Sequence, residues 1–134
     1  MIEKWIHNLF NEIGLVDVPR QSGDGVYNIE LFNNIKLIVK GLEIGYYIQS
    51  MIAEVPKERV ESLYILIMEA NFLGQGTGRA AIGMSSDENF FTLSLFINYE
   101  MNYQEFKEKI EEFINYLEFW RMQIKKHNKI KSIL

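Results

Sequence analysis

Six apolar residues toward the end of the chain, Phe106, Ile110, Phe113, Leu117, Trp120 and Ile124, recur at alternating spacings of four and three. An α-helix turns that spacing into one straight stripe, and a stripe needs a surface to cover. Asn102 stands where an N-cap belongs and Glu105 follows three residues on, with Met101 and Phe106 placed to close a hydrophobic staple across the cap. The preceding stretch, "FFTLSLFINY", has the other period. Phe91, Leu93, Leu95, Ile97 and Tyr99 share one face and Thr92, Ser94 and Asn98 the other. A striped helix following such a strand predicts helix-on-sheet packing.

Upstream, Ile2, Trp5, Ile6, Leu9, Phe10 and Ile13 form a second helical stripe, stopped at Gly14. The turn-rich "DVPRQSGDG" follows. Then "VYNIELF", "IKLIVK" and "IGYYIQSMIAEV" read as a three-stranded meander, rich in β-branched and aromatic residues. Pro56 suits the first position of a helix, and "PKERVESLYILIMEANFLG" is expected to run as helix from there to the glycines. "AAIGMS" supplies one more strand, joined to the next through Ser86, Asp87, Glu88 and Asn89. The order α-β-β-β-α-β-β-α predicts an α+β fold, a twisted antiparallel sheet flanked by helices. A chain of 134 residues, 48% hydrophobic, is long enough to bury one sizeable core, and residues 1–134 read as a single domain with a basic tail from about 125.

The connector "GQGTG" invites comparison with a phosphate loop, but its order along the chain argues against one. Phosphate loops place glycines after a strand and before a helix, whose N-terminus attracts the anion. Here Gly74, Gly76 and Gly78 leave a helix and enter a strand, so the helix end nearby carries partial negative charge, and no Gly-Lys-Ser/Thr follows. Other chemistry is equally thin. His7 and His127 lie at opposite ends of the chain and there is no cysteine, so no zinc-ligand spacing, disulfide or thiolate arises. No serine lies in G-x-S-x-G, and the Asp87-Glu88 turn has too few oxygen ligands for calcium. No catalytic, cofactor or metal residues are assigned. A formal net charge of −4 gives no general attraction to nucleic acid or anionic membrane. The start, "MIEKWIHNLF", does not read as a signal peptide, and no apolar run approaches the ~20 residues of a membrane span.

Two features exceed what a core requires. Nearly every position in 63–68 is apolar, so the middle helix lacks a polar face over two turns and needs cover on both sides. A second subunit supplies that cover most economically, which predicts a dimer. In the third strand Tyr46 and Ile48 point one way while Tyr47 and Met51 point the other. Together with Trp5 on the first helix, this predicts exposed apolar surface of the kind that marks partner sites.

The segment "LIMEANFLGQGTGRAAIGMSSDENFFTLSLFINYEMNYQEFKEKIEEFINYLEFW" resembles the second half of type III secretion chaperones of the CesT/SycE (Tir chaperone) family. Ala70-Asn71 with Gly74, Gly76 and Gly78 matches the family's helix end and glycine-rich connector. Ile82-Gly83, Asp87 and Leu93-Ser94 match its strand, acidic turn and Leu-Ser strand, and Phe106, Phe113 and Trp120 match the aromatics of its last helix. The resemblance implies a cytoplasmic bacterial homodimer, without enzymatic activity or cofactor, that binds the N-terminal segment of a secreted effector in extended form. A secretion ATPase or other part of the export apparatus is an implied further partner; nucleic acid and membrane are not. Client contacts would come from Ile2, Trp5, Ile6, Leu9, Tyr46, Tyr47 and Ile48, partly by strand addition to an open edge. The dimer interface would comprise Leu63, Tyr64, Ile67, Met68, Phe72 and Ala81. The alternative is an adaptor or regulatory protein of the same fold, binding a secretion or transcription regulator as a heterodimer. An enzyme with a cleft in this scaffold is a third class. Beyond Trp120 the match is poor, which leaves Lys125, Lys126 and Lys131 without an assigned role.

Overall fold

The computed structural model describes residues 2–15, 19, 21–23, 25–32, 34–98 and 100–133. Helix α1, Ile2–Ile13, buries Ile2, Trp5, Ile6, Leu9 and Phe10, the face its spacing defines. Gly14 ends it at φ 78°. The Leu15 N–H reaches back to the Phe10 carbonyl at 2.9 Å and the Gly14 N–H to Asn11, a Schellman closure that a left-handed glycine permits.

Strands β1 (Gln21–Gly23), β2 (Val26–Leu31), β3 (Ile35–Gly41) and β4 (Gly45–Glu54) come next. Helix α2, Glu61–Asn71, leads through the glycine connector to β5 (Ala81–Met84) and β6 (Phe90–Asn98), and α3 spans Tyr103–Ile133. The strands form one antiparallel sheet in the order β1-β2-β3-β4-β6-β5. The predicted meander and later hairpin are present; Tyr99 lies outside the described residues. The short β1 was not anticipated. Its three residues, from a Ser- and Gly-bearing turn region, carry no strand period and are held by pairing with β2.

One sheet face is covered. The cross-strand pairs Tyr46–Ile97 and Ile48–Leu95 lie on it, and α3 packs over β4 and β6 with its whole stripe, Phe106 to Ile124, buried. The α3 cap forms as the sequence predicts, the Glu105 N–H donating to Asn102 Oδ1 at 2.8 Å. Trp5 wedges between Tyr46 and Phe106, at ring-centroid distances of 6.2 and 5.2 Å. At the rim the Lys107 ammonium donates to Glu12 Oε2 at 2.6 Å and holds that carboxyl below its ordinary pKa.

The middle helix is shorter than its sequence suggests. It begins at Glu61, not at Pro56, because Arg59 takes a left-handed φ of 53° that a helical ladder does not tolerate. The Arg59 carbonyl instead meets the His127 ring, 3.2 Å from Nε2. At the other end a 3₁₀ turn, Phe72–Gly74, follows Asn71, and Gly74 at φ 70° turns the chain away. Gly76 then lies flat on the last turn of α2: its N–H donates to the Ala70 carbonyl and its carbonyl accepts from Trp120 Nε1, both at 2.9 Å. A Cβ at this position would sit 2.8 Å from Ala70 Cβ and 2.9 Å from Ala70 Cα. Helix backbone cannot yield cheaply, so Gly76→Ala is expected to cost about 1–3 kcal/mol, read as a drop of several degrees in melting temperature. An unchanged melting temperature would show that the connector repacks freely.

Candidate binding surfaces

In α2 the residues Leu63, Ile67 and Ala70, one turn apart in succession, point into the subunit's own core. The opposite side is apolar as well and faces outward. Met68 is 71% exposed, Phe72 65% and Leu73 74%, with Ile65 and Leu66 beside them. These residues continue from the helix into the turn as one apolar face left uncovered by the other described residues.

Of the residues assigned to a subunit interface from sequence, Met68, Phe72 and Ala81 are exposed and Tyr64 is half-buried, its ring edge-on to Phe91 at 6.2 Å. Leu63 and Ile67 are corrected: both are buried inside the subunit's own core. Ile65, Leu66 and Leu73 share this exposed face and were not singled out from sequence. A helix apolar all round has no polar side to orient it, so its sequence carries no signal for which half turns outward.

The second surface is the sheet face opposite the helices. Register places Lys40, Tyr47 and Phe96 in one row across β3, β4 and β6, with Ile38, Gln49, Ser94 and Ala81 in the next. Met51, Thr92 and Gly83 make a third row. Ile38, Met51 and Phe96 are exposed, and the Tyr47 hydroxyl donates to Ser94 Oγ at 2.7 Å, laying its ring along the sheet. Small side chains at Ala81, Gly83 and Ser94 leave a shallow trough beside Tyr47 and Phe96.

The client residues assigned from sequence divide sharply between the two faces. Tyr47 lies on the open one. Ile2, Trp5, Ile6, Leu9, Tyr46 and Ile48 are core residues between the helices and the sheet, Trp5 only 6% exposed, so they form no surface patch in this subunit. The correction has a simple cause: the α1 stripe is spent on α3 and the covered sheet face. Ile38 and Phe96, exposed on the open face, were not singled out from sequence because alternation does not say which face the helices cover.

The sheet edges also differ. On β5 the Asn71 carboxamide acts as a surrogate strand, donating to the Ile82 carbonyl and accepting from the Ile82 N–H, each at 2.8 Å. Thr77 ties off Ala80 through its hydroxyl and its carbonyl. These groups are already satisfied and offer an added strand little. The edge of β1 has no such plug among the described residues.

This geometry is that of an α+β module which, among its described residues, leaves two apolar faces open. The chain belongs to the Tir chaperone protein (CesT) family, which matches it over residues 4–121. A Chlamydia pneumoniae protein, CPj0713/CpB0740, is 26% identical over 129 residues, spanning 90% of this chain and 93% of that protein. Among solved structures, the fold resembles a chain of the ExsC–ExsE complex with TM-score 0.73 at 12% identity, covering 90% of this chain and 91% of that one. A chain of the HopA1–SchA chaperone–effector complex matches with TM-score 0.69 at 10% identity, covering 90% and 93%. For the ExoU–SpcU complex from the type III secretion system of Pseudomonas aeruginosa the TM-score is 0.67 at 13% identity, covering 92% and 93%. Among the described residues, no helix is long and apolar enough to cross a membrane.

Proposed function

We propose that this protein is a type III secretion chaperone that holds the N-terminal segment of a secreted effector in extended form. Membership of the family supports the class, and the open sheet face, with Ile38, Met51 and Phe96 exposed beside the half-buried ring of Tyr47, is the observation that carries the reading. An extended segment lies along these rows by apolar contact, and the plugged β5 edge leaves β1 as the edge for strand addition. The apolar face of α2 pairs two copies of the chain about a two-fold axis. The buried residues of α1, Trp5 among them, act as a rigid backing for the client surface. The protein works by binding, in the bacterial cytoplasm, without hydrolysis or cofactor, and hands its client to the export apparatus. The reading is tested by affinity purification of the full chain from its native host with mass identification of the co-purifying chain and light scattering of the complex. The expected result is two copies of this protein with one secreted protein, bound through that protein's N-terminal region. A monomer that captures nothing removes the proposal.

A further inference from the structure

The ladder between β3 and β4 stops short. β2 pairs with β3 from Ile35 onward, but β4 pairs with β3 only from Ile38 to Gly41. Nearby, β4 carries a register shift against β6 between Met51 and Ala53, the kind of irregularity at which a strand bends. The two strands therefore part like a fork. A groove of about 920 Å³ lies there on the open side of the sheet, near the upper end of the range of ligand-binding clefts.

Side chains replace the missing ladder. Ser50 Oγ donates to the Lys36 carbonyl at 2.7 Å. Arg121, projecting from α3, donates from Nε to the Ile52 carbonyl at 3.2 Å, from Nη2 to Met51 at 2.9 Å and from Nη1 to Asn34 at 3.4 Å. A guanidinium has five N–H donors. Three are engaged by backbone carbonyls, which leaves two on a residue that lines the groove.

The charge of Arg121 is not met within the fork. Among the described residues no carboxylate oxygen comes within 4.0 Å of the guanidinium. Glu30, the acidic side chain on the groove wall, stands directly across from Lys36 in the β2–β3 register, so those two charges offset one another. Burial pulls the Arg121 pKa below its ordinary value, and Glu118, one turn earlier on α3, acts only through space in the opposite sense. The groove thus keeps one surplus positive charge with two unengaged N–H groups, beside the apolar side chains of Ile38, Met51 and Met84. That combination fits an extended peptide carrying a carboxylate between apolar neighbours.

We infer that the β3–β4 fork is a specificity site, in which an extended client segment places an Asp or Glu side chain on the two unengaged N–H groups of Arg121. This inference rests on the client-binding reading above, and it adds what that reading lacks, a side-chain requirement. Apolar rows and strand edges accept many sequences; a half-buried guanidinium does not.

The test uses the full chain and two blocked heptapeptides of alternating Thr and Val, one with a central Glu and one with a central Gln, titrated by NMR. The Glu peptide is expected to bind roughly tenfold tighter than the Gln peptide and to move the Arg121 Nε–H resonance. Lys36→Glu leaves the carbonyl bonds of Arg121 intact but turns the net charge of the groove lining from one positive to one negative, and is expected to abolish the preference. Arg121→Gln is expected to do the same, and where it fails to fold the Lys36 variant decides alone. A guanidinium that merely braces the fork would leave the Glu and Gln peptides equal. That equality, a preference surviving Lys36→Glu, or no binding of either peptide at millimolar concentration overturns the site. Recovery of a secreted client from the host alongside any of these results keeps the chaperone reading and discards the fork. Glu-selective binding with no client recovered does the opposite.

Discussion

A variant carrying Met68→Asp and Phe72→Asp is expected to run as a folded monomer at concentrations where the proposed α2 dimer of the unaltered protein holds together. Both side chains are largely exposed in the subunit, so replacing them leaves the core of α2 (Leu63, Ile67 and Ala70) in place. In a two-fold interface each substitution occurs twice, which removes four large apolar side chains and sets four carboxylates against one another. Burying a side chain of this size is worth about 1.5–3 kcal/mol, and incomplete burial lowers the total to at least about 4 kcal/mol. The dimer constant then weakens by roughly a thousandfold or more. Sedimentation or light scattering across a concentration series measures the shift, and circular dichroism checks the fold. Leu63→Asp is the contrast: that side chain is fully enclosed by its own subunit, and a carboxylate there is expected to prevent folding. A wild-type chain that is monomeric throughout, or a double variant that dimerises as before, removes the α2 interface.

The second large effect separates surface from backing. Ile38→Asp with Phe96→Asp on the open sheet face is expected to weaken client capture by at least about a hundredfold, with little change in melting temperature, since both residues are exposed and the covered face is untouched. Trp5→Ala is expected to act the other way. It empties a site packed between Tyr46 and Phe106, costs about 3–5 kcal/mol of stability, and leaves the affinity of the folded fraction near its original value. Client titration and thermal melts on the two variants decide the matter. Full client binding by the Ile38 and Phe96 variant would move the client off this face.

Much of this architecture was readable from local period. The stripes of α1 and α3, the meander and the Asn102 cap follow from spacing, because a helix or strand presents a face at fixed intervals whatever surrounds it. The start of α2 was not readable: Pro56 fits a helix, but the left-handed backbone at Arg59 and its neighbour His127, far along the chain, move the boundary to Glu61. An apolar surplus was legible in residues 63–68, since no pattern there supplied a polar side.

Where that surplus goes was decided only in three dimensions. Period says that Leu63 and Ile67 lie together and that Ile65, Met68 and Phe72 lie elsewhere, but not which group meets the sheet. Likewise, alternation in β4 separates Tyr46 from Tyr47 without saying which face α1 and α3 will cover. The fork at Arg121 is further still from the sequence, because it joins a side chain on α3 to carbonyls about seventy and ninety positions earlier, and no periodicity spans such a distance. Sequence by itself determined the elements and the excess of apolar surface; tertiary packing alone determined which side of each element is spent on the core and which is left for a partner.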